Sequence, residues 1–333
     1  MNGEMLIDAV VTWVDGNDPV WQEERNKYNP NKQQDGSANR YRDWDLLKYW
    51  FRGIEKFAPW FNKIYFVTWG HLPTWLDISN PKIRIVKHSD YISQEYLPTF
   101  SSRTIEMNVH RISGLSEHFV YFNDDMFLIK PVKASHFFKK GLPCDMAVLK
   151  PISYDKWTIG LYTKLNELIV IGEHFNKRDC IKKNFTKFFN LKYGKYLIEN
   201  ICNMLYSNFT GFRCTHSPYP FLKKTFDNVW ENAYEIMDET CKNKFRSNSG
   251  VNPWLFKHWQ ICEGNFTPKN DMKFSKTLTI GKDDKLINSI FENPPFYSVC
   301  ISDDVVDIEF DKEKVFIQEC FEKILPEKSS YEL

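Results

Sequence analysis

Residues 121–128 read YFNDDMFL: two carboxylates, Asp124 and Asp125, stand between one apolar run and the next. Ionised side chains buried without partners are costly. A chain that delivers two of them where a core strand emerges is therefore read as opening onto a ligand. Taken alone, Asn123-Asp124-Asp125 also makes an ordinary turn. Asp283 and Asp284 in IGKDDKLIN, set among polar neighbours, illustrate that plainer case.

The run ahead of the pair, HFVYF (118–122), is the fourth of its kind, after IDAVVTWV (7–14), KIYFVTW (63–69) and KIRIVKH (82–88). All are short and rich in β-branched or aromatic residues, which predicts buried strands. Between them, DWDLLKYWFRGIEKF places Leu46, Trp50, Ile54 and Phe57 on one helical face, and SRTIEMNVHRI places Ile105, Val109 and Ile112 on another. Strand and helix alternate. This predicts an α/β fold: a mainly parallel, Rossmann-like sheet with helices on both faces, in which ligands bind beyond the carboxyl ends of the strands. The strands deliver Asp15-Gly16-Asn17-Asp18, then Gly70-His71, then Ser89-Asp90, then Asn123-Asp124-Asp125, so the polar chemistry gathers on one edge.

Farther along, residues 177–195 carry Lys177, Arg178, Lys182, Lys183, Lys187, Lys192 and Lys195 against the single acid Asp179. This basic stretch reads as a solvated helical face or as a surface for anionic lipid or an anionic acceptor. The expected organisation is an α/β half (1–150), a helical basic insertion (151–212) and a C-terminal part (213–333) that completes the same domain. Near the end, FYSVCISDD repeats the opening device, an apolar run delivering Asp303 and Asp304.

Over the 333 residues, 44 basic side chains nearly cancel 43 acidic ones, so no nucleic-acid partner is expected. The eight cysteines include no C-x-x-C pair, which argues against a zinc or redox motif. MNGEMLIDAVVTW has no basic leader and no apolar run reaches membrane-span length, so a cytoplasmic protein is expected.

Several side chains could serve such an edge. Neighbouring carboxylates at a strand end suit a hard divalent cation that bridges protein and phosphate oxygens. Arg103, Glu106 and His110 fall at i, i+3 and i+7, one helical face that could meet a phosphate or form a surface ion-pair stripe. Arg40 and Arg42 precede Asp43, a candidate helix N-cap, where an anion would be favoured. His216 lies in THSPYP and Arg246 in KFRSNSGVNPW; each is also readable as structural.

In combination these blocks resemble the Stealth family of hexose-1-phosphate transferases. The resemblance rests on DAVVTWVDGNDPVW (8–21), on the long block from RYRDWDLLKYWF to HFVYFNDDMF (40–127), on HSPYPFLKKTFDNVW with KFRSNSGVNPWLF (216–256), and on FYSVCISDD (296–304). It implies transfer of a sugar 1-phosphate from a nucleotide sugar, typically a UDP-hexose derivative, to a glycan hydroxyl, with UMP as leaving group. It also implies that Asp15, Arg42, Glu106, His110, Asp124, Asp125, His216, Arg246 and Asp303 line the active site. The expected cofactor is Mg²⁺ or Mn²⁺, held by Asp124 or Asp125 with Asp303 or Asp304. His216 is the expected base, with Glu106 as substitute, and Arg40, Arg42 and Arg103 accompany the donor. The acceptor would be a glycan, carried on a lipid at the inner membrane face. Two positions depart from the family pattern: Val11 stands in place of an aromatic, and Ser302 in place of Asn, which leaves the acidic role open between Asp303 and Asp304. The rival readings are a GT-A-like glycosyltransferase that releases UDP and a non-catalytic glycan-binding module.

Overall fold

The computed structural model describes residues 5–29, 41–154, 158–303, 305 and 309–333; Arg40 and Asp304 lie outside them. The strands in chain order are β1 (Ile7–Thr12), β2 (Ile64–Thr68), β3 (Ile83–Lys87), β4 (His118–Phe122), β5 (Met126–Leu128), β6 (Phe138–Lys139), β7 (Leu142–Asp145), β8 (Tyr219–Leu222), β9 (Thr267–Pro268), β10 (Ser275–Ile280) and β11 (Ser298–Asp303). The four apolar runs become β1 to β4. They form one sheet in the order β3-β2-β1-β4-β8, parallel throughout except for β8.

Burial explains the composition of these strands. Every residue of β2, and all but the last of β1, is buried, as a strand covered on both faces requires. At one margin, β3 alternates and shows Arg84 and Lys87 to solvent, charges that discourage edge pairing. At the other margin β8 tolerates Pro220 because, among the described residues, no strand lies beyond it. There the side chain of Gln260 takes the place of a neighbour, accepting from the Leu222 amide and donating to the Pro220 carbonyl.

Two smaller sheets complete the frame, β10-β11-β5 and β6-β7-β9. The first decides the site. β5 begins directly after the Asn123-Asp124-Asp125 turn and runs antiparallel to β11, with Met126 opposite Cys300 and the Ile301 amide donating to the Asp125 carbonyl at 2.8 Å. Continued by two residues, that register carries β11 to Asp303 beside the same turn. A separation of more than 170 positions in sequence is closed by one short ladder.

The helices differ from expectation at two places. Helix α1 (Pro19–Tyr28) is capped by Asp18, whose carboxylate accepts from the Val20 and Trp21 amides. Helix α2 (Leu47–Phe57) begins later than predicted, with Leu46 rather than Asp43 at its cap. Asp43 instead closes a local turn by accepting from the Asp45 amide. The SRTIEMNVHRI segment is no continuous helix: α3 (Ser102–Met107) ends at Asn108, and a 3-10 turn covers Val109–Arg111. The Asn108 side chain folds back on the Thr104 carbonyl, the local competition that makes Asn a poor helix interior. Helix α4 (Ile159–His174) opens the helical stretch that continues to Asn203.

Candidate functional site

Beyond the carboxyl ends of β1 and β4, three cavities of about 520, 350 and 130 Å³ meet. The largest is lined by Trp13 at the end of β1, by Tyr41 to Trp44 ahead of α2, by Asp124 and Asp125, and by Ser302 and Asp303 at the end of β11. The 350 Å³ cavity is lined by Arg103 and Glu106 of α3, by His216 ahead of β8 and Tyr219 at its start, by Trp254, and by the first turn of α4. The smallest is aromatic, with Trp21, Tyr41 and Phe100 in its wall. Arg246 lines all three.

Local geometry explains how the loops are held. Gly16 follows Asp15 because a Cβ there would stand 1.9 Å from the Tyr41 carbonyl oxygen. The Asp15 amide donates to Nε2 of His71, whose Nδ1 then carries the proton offered to Asp18. His71 is thus a positioning residue for the Asp15 turn, visible beforehand only as a polar residue after a strand. Arg42 lies 3.5 Å from the Asp303 carboxylate, donates to the Val305 carbonyl and sits over the Phe310 ring. The indole of Trp44 donates to the same carboxylate at 3.2 Å, and the Val305 amide donates to its other oxygen at 2.9 Å. Asp303 is therefore a well-satisfied acid that orients Arg42.

Asp124 and Asp125 are different. One Asp125 oxygen accepts a weak hydrogen bond from the Cys300 thiol, whereas Oδ1 is buried with no partner among the described residues. Burial pushes the carboxyl up, opposed by the nearby His216. Asp124 meets solvent in the cleft but is walled in otherwise, and burial, with Asp125 and Asp43 adding repulsion, raises it to about 7. Burial also raises Glu106 to about 7 against the pull of Arg246 and Arg103; its carboxylate accepts from the Tyr121 hydroxyl. Arg246 acts on all four groups while spending one hydrogen bond, 2.6 Å, on the Ser102 hydroxyl. His216 is exposed to the cleft, yet desolvation by the surrounding wall lowers it, with Asp125 opposing, and its ring packs 5.2 Å from Trp254.

The unpartnered Asp125 oxygen beside Asp124 suits a hard cation. Among the described residues no three His, Cys, Asp or Glu side chains come close enough to hold a metal by themselves. An ion such as Mg²⁺ takes one or two carboxylates and draws its remaining ligands from water and substrate phosphates.

The structure thus brings together Arg42, Asp124, Asp125, Arg246 and Asp303 around one cavity, and Arg103, Glu106 and His216 around its neighbour. Asp15 stands beside them, near enough to Asp43 to raise its carboxyl together with burial and Asp45. His110 is not among them. The break at Asn108 turns it away from Arg103 and Glu106, and it packs against Phe226 and Trp230, where burial lowers it to about 3. Trp13, Tyr41, Trp44 and Trp254 were not singled out from sequence, because an aromatic at a strand end looks like any core ring.

Residues 5–33 match the Stealth protein conserved region 1, and residues 40–144 match conserved region 2. The chain is 43% identical over 329 residues to a capsular polysaccharide phosphotransferase WcwK of Streptococcus pneumoniae, covering 98% of each chain. The chain belongs to the Stealth family. Other relatives of this Stealth protein are the receptor polysaccharide phosphotransferase WefC of Streptococcus gordonii (42% over 338 residues, 98% of this chain and 99% of that one) and the exopolysaccharide phosphotransferase cps2G of Lactiplantibacillus plantarum (37% over 337 residues, 99% and 97%). Like them, this Stealth protein is a transferase enzyme. Among solved structures, the galactosyltransferase LgtC in complex with donor and acceptor sugar analogs aligns over 95% of this chain and 96% of its own, with TM-score 0.41 and 9% identity. That likeness is too slight to bear on the chemistry.

Proposed function

We propose that this Stealth protein transfers a sugar 1-phosphate from a nucleotide sugar, a UDP-hexose or UDP-N-acetylhexosamine, to a hydroxyl of an acceptor glycan in capsule or exopolysaccharide synthesis. The observation that carries the reading is the position of Arg246. It is shared by a carboxylate-bearing cavity on one side and a cavity holding His216 and Glu106 on the other.

In this reading the larger cavity takes the donor. Arg42 and Arg246 pair with its diphosphate oxygens, and Asp124 and Asp125 would hold Mg²⁺ or Mn²⁺, with Asp303 orienting Arg42. When bound, the cation neutralises charge on the phosphate oxygens. The acceptor hydroxyl approaches from the 350 Å³ cavity, where His216 takes its proton; Glu106 is the alternative base. The acceptor oxygen forms a bond to the sugar-bearing phosphorus as the bond from that phosphorus to the bridging oxygen breaks, so the product is a phosphodiester and UMP departs. Arg103 serves by position: its guanidinium is buried, and it donates to the Ser247 carbonyl at 2.7 Å and to the Thr163 hydroxyl, holding the loop that presents Arg246. The acceptor glycan is carried on a lipid, and the enzyme works in the cytoplasm against the inner membrane face.

The test is incubation of the protein with Mg²⁺, a panel of nucleotide sugars and candidate oligosaccharides. UMP release with incorporation of sugar phosphate supports the proposal. Release of UDP with a new glycosidic bond overturns it in favour of a glycosyltransferase, and absence of donor turnover favours a glycan-binding module.

A further inference from the structure

The helical stretch contains one helix that is inside out. In Leu197–Asn203 the buried residues are Asn200 and Asn203, 1% and 2% exposed, whereas Ile198 and Ile201 are 63% and 56% exposed. A surface helix of a globular protein ordinarily turns its apolar stripe inward. Here the polar stripe is inside for a specific reason. Asn200 accepts from the Leu149 amide at 2.7 Å and donates to the Ala147 and Phe188 carbonyls, while Asn203 donates to the Leu149 carbonyl at 3.1 Å and accepts from Thr210. Lys177 is buried beneath it and donates to the carbonyls of Asn203 and Tyr206. The orientation is thus locked by buried hydrogen bonds, and reversing it would leave them unmade.

The outward face continues past the helix. Leu205, one turn on from Ile201, is 89% exposed, and Leu191, just before the helix, is 88% exposed. Along the same stretch Arg178, Lys182, Lys183, Lys192 and Lys195 are exposed, against the single exposed acid Asp179. The acid that could offset them within the helix, Glu199, is taken by Arg213 in a two-bond pair. An exposed aliphatic stripe with a cationic surround is the composition of a segment that lies in a membrane interface, apolar side chains among the acyl chains and lysines at anionic headgroups.

We propose that this face, centred on Ile198, Ile201 and Leu205, docks the protein onto an anionic lipid bilayer. The charge pattern selects this occupant over a second copy of the chain: a two-fold pairing of the face with itself would press like charges together, whereas anionic headgroups neutralise them. The surface is also rigidly joined to the proposed acceptor cavity. The backbone of Lys150 and Ile152 pairs with Gly211 and Thr210, and a few residues beyond Gly211 the chain reaches His216. The first turn of α4, which follows the same 147–154 segment, lines that cavity. This deepens the proposed function, in which the acceptor arrives on a lipid, yet the docking itself is measurable without turnover.

The experiment is co-sedimentation of the full chain with vesicles of phosphatidylcholine, with and without phosphatidylglycerol, alongside sedimentation velocity without lipid. The protein is expected to bind the phosphatidylglycerol vesicles, less so at high salt, and hardly to bind pure phosphatidylcholine. Ile201→Asp with Leu205→Asp should weaken binding at least roughly tenfold. Lys192→Glu with Lys195→Glu should do the same while leaving the aliphatic face intact. Circular dichroism shows that each variant is folded, as substitutions at solvent-exposed positions allow. No binding to anionic vesicles, or binding that survives both pairs of substitutions, overturns the proposal. So does concentration-dependent dimerisation abolished by Ile201→Asp, which would assign the face to a second copy. UMP release by a protein that ignores vesicles would leave the proposed reaction standing and remove only the docking.

Discussion

Two acidic clusters sit close to strand ends in this molecule, and they are finished differently. Around Lys257, buried in the helix Trp254–Glu263, the carboxylates of Asp145 and Asp271 stand at 2.9 and 2.8 Å, and Lys269 reaches Asp271 at 3.1 Å. Burial works against the charge on Lys257, but the two carboxylates outweigh it and hold its pKa well above the ordinary value. At the other cluster, Asp124 and Asp125 lie side by side, with one buried oxygen unpartnered and no lysine inserted between them among the described residues. The first cluster closes its charges within the chain and ties β7 to two helices. The second is left open, and the physical lesson is that a buried carboxylate without an internal partner marks where a ligand completes the structure.

The contrast can be broken first at its closed end. Lys257→Ala should strand two buried carboxylates and cost about 3–5 kcal/mol of stability, read as a large drop in unfolding temperature. An unchanged melting curve would mean that the network is not structural. At the open end, Asp125→Asn should lower transfer by about a thousandfold or more while leaving stability equal or slightly higher, since it removes a partly buried charge whose side-chain hydrogen bond, from the Cys300 thiol, is weak. Equal losses of stability at both clusters would erase the distinction.

Arg246→Ala should reduce turnover by about a hundredfold with little change in melting, because among the described residues the guanidinium hydrogen-bonds to Ser102 alone and otherwise serves the three cavities. If the melting temperature falls instead, Arg246 belongs to the frame. Addition of Mg²⁺ should raise the unfolding temperature by a few degrees in the unaltered protein and not in Asp124→Asn or Asp125→Asn, and a chelator should abolish transfer. A thermal shift that persists in both variants would place the cation elsewhere.

The smallest effect is expected at His110, in neither cluster. Its folded pKa of about 3 lies below the ordinary 6.5, so the unfolded chain takes up a proton first as pH falls. The neutral ring's full contribution is therefore present above pH 6.5, and stability declines from there towards pH 3, by on the order of 1 kcal/mol per pH unit from this group. His110→Phe, which preserves packing on Phe226 and Trp230, should flatten that slope and change transfer by less than about threefold. A loss comparable to that of Arg246→Ala would return His110 to the site.

Much of this was legible from residue order. The four apolar runs mapped onto β1 to β4, and the prediction that polar residues gather beyond their carboxyl ends holds for Asp15, Asp124 and Asp125. The failures have different causes. The Arg103, Glu106 and His110 face was drawn on an uninterrupted helix, and Asn108 ended that helix through a side-chain hydrogen bond that periodicity does not register. Asp43 looked like a cap, but α2 starts only at Leu47. The inverted helix was invisible for a different reason: the segment's lysines and aromatics drew attention while the deciding interactions were those of Asn200 and Asn203 with the distant backbone of residues 147–149.

By itself, the amino-acid order determined the strand and helix pattern, the acidic endings and the family motifs, because side-chain periodicity and turn chemistry act over a few residues. Only the tertiary structure decided that β11 would pair with β5 and bring Asp303 to the Asp124-Asp125 turn, that Arg246 would stand between two cavities, and which face of Leu197–Asn203 would meet solvent. Those outcomes depend on sheet register and on buried hydrogen bonds between remote segments, whose partners are chosen by the packed fold as a whole.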